Sequence, residues 1–275
     1  MALTVRTNIA SLSAIHQLNK SQGSLTSSLE RISSGLRVNR AADDAAGMSV
    51  ANRMNSDNTS LQQAMRNTND GISMIQTAEG GLNELNNILV RMRELSVQAS
   101  NETYNTVDRS MIATEMTQLK NEYQRIVTTA NFNRTNLLNS ADTAFNIQVG
   151  IQNTANDRIV INLSSLAAAA SNVGLKTLFQ TSIASAGNLG AAQTNITNID
   201  TALNGISTRR SRLGAMQNRL ENALSEASNY SQNLSASQSQ ILDVDYASES
   251  ANMTRYQIQQ QAGVAALAQA KAIPQ

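Results

Sequence analysis

Apolar residues at both ends of the chain recur at alternating intervals of three and four residues. Near the N-terminus the stripe has one polar break, and it consists of Ile15, Leu18, Gln22, Leu25, Leu29, Ile32 and Leu36. Near the C-terminus the same spacing continues from Ile196 to Ile241. A heptad repeat of this kind places one stripe of side chains along a helix, and the stripe is buried only when another helix packs on it. We therefore expect long helices, with the N- and C-terminal segments side by side.

The same period predicts further helices. One runs from about 48 to 99, a second covers 112–126 after a polar turn at 101–110, and a last helix follows a break at 242–249. Asp243 and Asp245 lie in that break, and we expect them to cap the last helix. A calcium loop would need several more oxygen ligands at set spacing.

The middle of the chain has a different pattern. Apolar residues alternate with polar ones in AFNIQVGIQ and RIVINL, which predicts a β-hairpin near 143–163. Residues 164–195 are rich in Ala, Ser, Gly and Asn, and we interpret them as a short variable loop. The predicted fold class is mainly α, with a helical bundle, a terminal coiled coil and a small β-hairpin region.

The composition argues against several classes of function. The 275 residues include 21 basic and 20 acidic side chains without a basic patch, so nucleic acid is a poor partner. There is no cysteine and only one histidine, His16, and histidine is the commonest acid–base group of enzymes. No stretch is long and apolar enough to predict membrane insertion, and the N-terminus lacks a cleaved secretory signal. We expect no enzyme activity, metal or cofactor.

The segment SGLRVNRAADDAAG, residues 34–47, interrupts the helical pattern. Its candidate functional residues are two glycines, two arginines and two aspartates: Gly35, Arg37, Arg40, Asp43, Asp44 and Gly47. The aspartates could form a carboxylate pair for a metal ion or for acid chemistry, but no His, Cys or third acid is near them. The interpretation we favour is structural, with exposed ion pairs or helix caps at a break and glycines that free the backbone.

Several long stretches, found in the same order as in that family, make the sequence resemble bacterial flagellin. They are LERISSGLRVNRAADDAAGMSVANRM, RNTNDGISMIQTAEGGLNEL, RMRELSVQASN, NFNRTNLLN, LGAMQNRLENAL and DYASESANMTRYQIQQQAGVAALAQA. The resemblance implies an inner terminal coiled-coil domain of residues 1–40 with 240–275, a connector at 34–47, and a helical bundle with a hairpin at 48–239. It also implies a minimal form without outer variable domains. Members of the family usually continue for a few apolar residues beyond Pro274 and Gln275.

The resemblance also implies what the protein does and which partners it has. It predicts a structural subunit that assembles with copies of itself into the extracellular flagellar filament, a propeller for motility. Export would use the flagellar type III apparatus, with an export chaperone on the C-terminal helices, and assembly would involve filament cap and hook–filament junction proteins. The alternative class, from the residues alone, is a cytosolic coiled-coil adaptor that does not polymerise.

A receptor site follows from the same resemblance. In many flagellins the stretch around VRMRELSVQ is contacted by the innate immune receptor Toll-like receptor 5. Arg91, Leu95 and Glu115 match the contact residues of the family. Arg91 and Leu95 are four residues apart on one helix, so we expect them to share a face with Glu115 of the next helix and to offer a guanidinium, an apolar anchor and a carboxylate.

Overall fold

The structure is a computed structural model that describes residues 8–139, 144–162 and 189–272. Within those ranges the chain forms five helices: α1 (Ile9–Ser34), α2 (Ala45–Ala99), α3 (Thr106–Thr129), α4 (Leu189–Leu242) and α5 (Tyr246–Ala272). It also forms four short strands: β1 (Asn131–Phe132), β2 (Thr135–Asn136), β3 (Ala144–Gln148) and β4 (Arg158–Asn162). The prediction of a mainly α fold with a small β-hairpin region is therefore confirmed.

The chain divides into two compact units. Unit 1 contains Met1–Thr59 and Ser231–Gln275, and unit 2 contains Ser60–Tyr230. Each unit combines segments that are far apart in sequence, because helices from the C-terminal half of the chain pack on helices from the N-terminal half.

Helix α1 has capping groups at both ends. At its start, the Asn8 side chain accepts a hydrogen bond from a backbone N–H of the first turn. At its end, Gly35 has a φ of +74°, a left-handed conformation that glycine adopts without strain, and its N–H donates to the carbonyl of Arg31. The stripe predicted to continue to Leu36 therefore ends earlier. Leu36 instead forms an isolated β-bridge with Asp243.

Helices α1 and α5 pack against each other in unit 1, along a seam that agrees only in part with the predicted stripe: Leu25 is buried and Leu18 and Ile32 are half-buried, as expected. The buried residues of α1 are mostly small: Ser11, Ser21, Leu25 and Ser28. Ile15 and Leu29 were expected in the buried stripe, but they are 38% and 47% exposed. Small side chains allow a close approach of the two helices, since a Cβ on Gly263 would lie only 3.3 Å from Leu18 Cδ1.

Unit 2 contains one hydrophobic core shared by α2, α3, α4 and the hairpin. Its members on α2 are Met74, Ile75, Ala78, Leu82, Leu85, Leu89, Met92, Leu95 and Ala99. Helix α3 adds Ile112, Met116, Tyr123 and Val127, and α4 adds a seven-residue repeat of Ala192, Ile199, Ile206, Leu213 and Leu220. Large aliphatic side chains therefore meet on the bundle axis, as expected for helices that each present one apolar stripe.

Helix α3 begins inside the segment that was predicted to be a polar turn, 101–110. Asn105 Oδ1 accepts hydrogen bonds from the backbone N–H groups of Val107 and Asp108, at 2.8 and 2.9 Å. Asp108 Oδ2 in return accepts from the N–H of Asn105 at 3.2 Å. This capping box satisfies first-turn donors that have no partner within the helix, so the helix starts at Thr106.

Strands β3 and β4 form the predicted hairpin. They pair antiparallel, with Phe145 opposite Ile161 and Ile147 opposite Ile159, and both isoleucines of β4 are buried. The hairpin lies against α2 at Gly71, where a Cβ would come within 3.2 Å of Ile147 Cγ1. A glycine at this position therefore permits the close approach of the hairpin to the helix.

A second strand pair was not predicted. Strands β1 and β2 pair antiparallel through a two-residue turn at Asn133 and Arg134. Both turn residues have positive φ, of 46° and 64°. Such backbone angles suit the twist of a tight hairpin, and asparagine adopts them more readily than arginine does.

The predicted loop at 164–195 lies largely outside the described residues. Residues 189–195 are an exception, since they form the first turns of α4 and the side chains of Ala192 and Asn195 are buried. Ala192 precedes Ile199 by one heptad, so the apolar stripe of α4 extends further toward the N-terminus than the large side chains indicate.

Candidate functional site

Three charged side chains meet on the surface of unit 2, where α2 runs beside α3. The Arg91 guanidinium donates two hydrogen bonds to Glu115 Oε1, at 2.8 and 3.0 Å, and a third to Glu94 Oε2 at 3.0 Å. Hydrogen bonds to Glu115 and then to Glu94 raise the pKa of Arg91. The side chains remain 50%, 47% and 60% exposed for Arg91, Glu115 and Glu94. The structure thus brings Arg91 and Glu115 together on an accessible face.

Leu95 does not join this face. Its side chain is only 2% exposed and belongs to the core of unit 2. The expectation that it is an accessible apolar anchor is therefore wrong. Arg91 lies at the edge of the buried stripe of α2, and Leu95, four residues later, lies inside that stripe. The same helices have other exposed apolar side chains, Met111, one helical turn before Glu115, and Val90, which are 67% and 41% exposed.

The segment between α1 and α2 contacts the end of α4 through Arg37. The backbone N–H of Arg37 donates to the carbonyl of Leu242 at 2.6 Å. Its guanidinium donates to the carbonyls of Ile241 and Gln240, at 2.7 and 3.3 Å. These carbonyls belong to the last turn of α4 and have no partner within the helix, and a cation at this end also offsets the helix dipole. Arg37 is therefore a cap of a helix remote in sequence.

Asp43 organises the turn of the same segment. Its Oδ2 accepts hydrogen bonds from the backbone N–H groups of Arg40 and Asn39, at 2.9 and 3.2 Å. The Arg40 N–H, then the Asn39 N–H and the charge of Arg31 hold the pKa of Asp43 below its ordinary value. The side chain of Arg40 forms an exposed ion pair with Glu30.

Asp44 and Gly47 belong to the start of α2. Asp44 Oδ1 accepts a hydrogen bond from the Gly47 N–H at 2.8 Å, as an N-cap side chain does. Gly47 lies inside the helix and is not among the residues with positive φ, so the expected backbone freedom applies to Gly35 only. The side chain that a larger residue would carry at position 47 would collide with the Asp44 carboxylate.

Both aspartates of this segment thus point their oxygens at backbone N–H groups, as the capping interpretation predicts. Among the residues that the structure describes, no group of three or more His, Cys, Asp or Glu side chains is arranged to hold a metal ion.

Asp245 caps α5, accepting from the N–H of Ala247 at 2.9 Å. Asp243 does not share that role and accepts from the Ser239 hydroxyl at 2.6 Å.

Tyr246 is a contact residue that the sequence reasoning missed. Its hydroxyl donates to the carbonyl of Ile32 at 3.1 Å, in the last turn of α1. The backbone N–H of Val244 likewise donates to the carbonyl of Gly35 at 3.0 Å. The signal for this contact in the sequence is that the heptad repeat breaks twice, once after Ser34 and once near Tyr246. When the two ends of the chain lie side by side, the two breaks come close together.

A second candidate surface lies on the terminal helices of unit 1. Large apolar side chains of α1 and α5 face outward, away from the serine-rich seam: Ile9, Leu12, Ile15, Leu29, Ile258 and Val264. The most exposed are Ile9 at 70% and Leu12 at 63%. Exposed apolar surface arranged along a helix is typical of a protein–protein contact.

Two family models match the chain. The model of the bacterial flagellin N-terminal helical region matches residues 5–143, and the model of the C-terminal helical region matches residues 196–275. Together they include both candidate surfaces. In the described part of the chain, no helix combines the length and the apolar character needed to cross a membrane.

Related sequences cover nearly the whole chain. It is 43% identical over 258 residues to a flagellin of Halalkalibacterium halodurans, covering 94% of this chain and 91% of the relative. It is 37% identical over 279 residues to a flagellin of Listeria monocytogenes, covering 99% and 97%.

Solved structures give a consistent result. The crystal structure of Bacillus cereus flagellin matches with a TM-score of 0.51 and 31% identity, covering 59% of this chain and 88% of that chain. A flagellar hook-associated protein from Vibrio parahaemolyticus matches 73% of this chain with a TM-score of 0.63, but at 13% identity this likeness concerns the fold alone.

Proposed function

Because the chain belongs to the bacterial flagellin family and is a flagellar filament subunit, we propose that the outward apolar faces of α1 and α5 are the surfaces through which copies assemble. The observation that carries this proposal is the exposure of large apolar side chains beside a seam of serines. Burying a fully exposed side chain of this size is worth roughly 1.5–3 kcal/mol, and these side chains, which are 38–70% exposed, gain a corresponding part of it.

In this proposal the face of α1 on one copy meets the face of α5 on the next, which gives an open polymer and not a closed oligomer. The face of α1 carries Ile9, Leu12 and Ile15, and the face of α5 carries Ile258 and Val264, so the two faces have different residues. When two different complementary patches meet head to tail, the contact repeats without closing and generates a helical filament. The subunit thereby serves as a passive element of a propeller.

The proposal extends to the state of the free subunit. The seam between α1 and α5 buries few large apolar side chains, whereas ordering a residue opposes folding by about 1–2 kcal/mol. We expect the terminal helices to be less protected from amide exchange in the monomer than in the filament.

Sedimentation tests the assembly proposal. Wild-type protein should form a pellet after seeding or salting-out, and the double variant Leu12→Asn, Ile258→Asn should stay in the supernatant with unchanged helicity by circular dichroism. Gln17→Asn is the matched control at an exposed polar position of α1 and should form a pellet like wild type. A wild-type protein that stays monomeric would support the non-polymerising adaptor instead. A double variant that assembles normally would exclude these faces as the contacts.

Export and capping partners follow from family membership within the same proposal. The chain would leave the cell unfolded through the flagellar type III apparatus, with an export chaperone on the C-terminal helices. The exposed Ile258 and Val264 of α5 offer such a chaperone an apolar face. Filament cap and hook–filament junction proteins would contact the assembled subunits outside the cell.

A second function, recognition by Toll-like receptor 5, is supported by the exposed cluster of Arg91, Glu94 and Glu115. In this proposal Arg91 and Glu115 contact the receptor, while Leu95 supports α2 from the core side. The partly exposed Val90 and Met111 supply apolar contact in place of Leu95. A half-exposed guanidinium beside apolar surface has the composition of a binding hot spot.

Binding of the monomer to the receptor ectodomain tests this proposal. Arg91→Ala and Glu115→Ala should each lower affinity about tenfold, the effect of losing one charge-assisted hydrogen bond. Arg125→Ala is the matched control, because Arg125 forms an exposed ion pair with Glu122 on the same helix as Glu115. Unchanged affinity in both test variants, with helicity preserved, would exclude this face as the receptor site.

A further inference from the structure

The end of α4 depends on a residue about two hundred positions away in sequence. The carbonyls of Gln240, Ile241 and Leu242 accept hydrogen bonds from the side chain and backbone of Arg37, with the shortest at 2.6 Å. An α-helix leaves its last four carbonyls without internal partners, so the last turn frays unless other groups bind them. A single residue of the N-terminal segment therefore caps most of the last turn of α4.

The end of α1 depends in the same way on the C-terminal segment. The Ile32 carbonyl accepts from the hydroxyl of Tyr246 at 3.1 Å, and the Gly35 carbonyl accepts from the N–H of Val244 at 3.0 Å. Gly35 also approaches Tyr246 closely, since a Cβ there would lie 3.5 Å from the tyrosine hydroxyl oxygen. The break after each helix thus supplies the cap of the other.

We propose that Arg37 and Tyr246 form a reciprocal cap, through which the N-terminal and C-terminal segments become ordered together in one cooperative step. Loss of the Arg37 guanidinium leaves the carbonyls of Gln240 and Ile241 without this partner, and loss of the Tyr246 hydroxyl does the same for Ile32. Either loss weakens the contact between residues 32–37 and 240–246, which we call the crossing, on both sides. Arg37 and Tyr246 are positioning residues in this scheme. The inference goes beyond the proposed function and does not depend on it, since the crossing lies within one chain.

Hydrogen exchange with mass spectrometry on the full chain tests the cap, in the monomer and in any assembled form. In wild type the amides of Arg37 and Val244 should be protected in at least one state, because both donate across the crossing. Arg37→Met should raise exchange three- to tenfold at 242–246, and Tyr246→Phe should raise exchange at 32–37 by a similar factor, modest values because the crossing is solvent-exposed.

The controls separate a cap from a general loss of structure. Arg40→Met removes an exposed cation of the same turn that pairs with Glu30 and not with any described residue at the end of α4, and it should leave exchange at 242–246 unchanged. Tyr246→Phe keeps the aromatic ring and removes one hydroxyl, so we expect it to fold. It therefore tests the cap even where Arg37→Met fails to fold. A wild-type protein unprotected at Arg37 and Val244 in every state would overturn the proposal. Variants that raise exchange only in their own segment would also overturn it.

Discussion

Units 1 and 2 are built from helices with the same heptad period, yet they bury different side chains. In unit 2 the stripes of α2 and α4 place large aliphatic residues on the bundle axis, and Ile75, Leu89 and Ile199 are completely buried. In unit 1 the buried residues of α1 are Ser11, Ser21, Ser28 and one large residue, Leu25, while Ile9, Leu12, Ile15 and Leu29 are exposed. A heptad period therefore shows that a helix has a stripe, while side-chain size decides whether that stripe closes a core.

The comparison also assigns different requirements to the two units. Unit 2 has a core that can stabilise it within one chain, since buried aliphatic surface is the main favourable contribution to folding. Unit 1 keeps much of its apolar surface exposed, so further burial needs another molecule. On this basis unit 2 is expected to resist denaturant in the monomer, and unit 1 is expected to gain protection on assembly.

The largest expected effect is a difference in the free energy of unfolding between the same substitution, leucine to alanine, made in each of the two units. Leu89→Ala removes a completely buried side chain from the core of unit 2 and should lower the free energy of unfolding by about 2–5 kcal/mol. Leu12→Ala truncates a side chain that is 63% exposed and should change monomer stability by less than about 0.5 kcal/mol. Urea unfolding of the monomers, followed by circular dichroism, measures both. Equal losses would show that unit 1 has a core of its own.

Glycine-to-alanine substitutions on the helices test how closely the surrounding side chains pack in each unit. Gly71→Ala should destabilise the protein by about 1–3 kcal/mol, because the new methyl would meet Ile147 at 3.2 Å and Leu220 at 3.4 Å. Gly80→Ala and Gly23→Ala have open space within 4 Å and should stabilise their helices by up to about 1 kcal/mol. Thermal unfolding of the three variants gives the order. A neutral Gly71→Ala would mean that the hairpin moves away from α2 at little cost.

The dependence of stability on alkaline pH tests whether the core of unit 2 is closed to solvent at Tyr123. Burial raises the pKa of Tyr123 to about 12 from its ordinary value of 10.0, while the charge of Arg209 opposes the shift. The unfolded chain therefore loses this proton first, and stability that is complete below pH 10 decreases as pH rises toward 12. At one unit above the ordinary pKa the loss is about 1.4 kcal/mol.

Unfolding in urea between pH 8 and 11 measures this slope. Tyr123→Phe should remove the contribution of Tyr123 while leaving the other tyrosines in place. A variant with the same pH dependence as wild type would show that Tyr123 is accessible to solvent in the folded state.

Much of the fold could be predicted from the sequence, because helix period and strand alternation are local signals. The start of α3 was missed because Asn105 and Asp108 act as a capping box inside a segment that has the composition of a turn. The seam of α1 was predicted only in part, because a three–four spacing fits two adjacent stripes: Leu25 is buried as expected, whereas Ile15 and Leu29 are exposed and small residues are buried in their place. Only the neighbouring helix decides which stripe is buried.

The candidate sites were predictable to a lesser degree. Arg91 and Glu115 were named from the resemblance to the family, and an antiparallel arrangement of α2 and α3 was enough to expect them on one face, where they form an ion pair. The burial of Leu95 could not be predicted, since it depends on the direction of α2 relative to the core. The partner of Arg37 could not be predicted either, because it consists of backbone carbonyls of a distant helix, and every residue type has such a carbonyl.

The smallest expected effect tests whether the turn of unit 1 depends on hydrogen bonds or on charge. The Arg40 N–H is the largest cause that lowers the pKa of Asp43, followed among the lowering causes by the Asn39 N–H and by the charge of Arg31 at 3.9 Å. Because this folded pKa lies below the unfolded value, the contribution of Asp43 to stability is present above pH 3.8 and is lost as pH falls through the folded pKa. Asp43→Asn keeps an oxygen that can accept both N–H groups, whereas Asp43→Ala does not. We therefore expect faster amide exchange at positions 39 and 40 in Asp43→Ala than in Asp43→Asn, and equal rates in the two variants would mean that the carboxylate charge holds the turn.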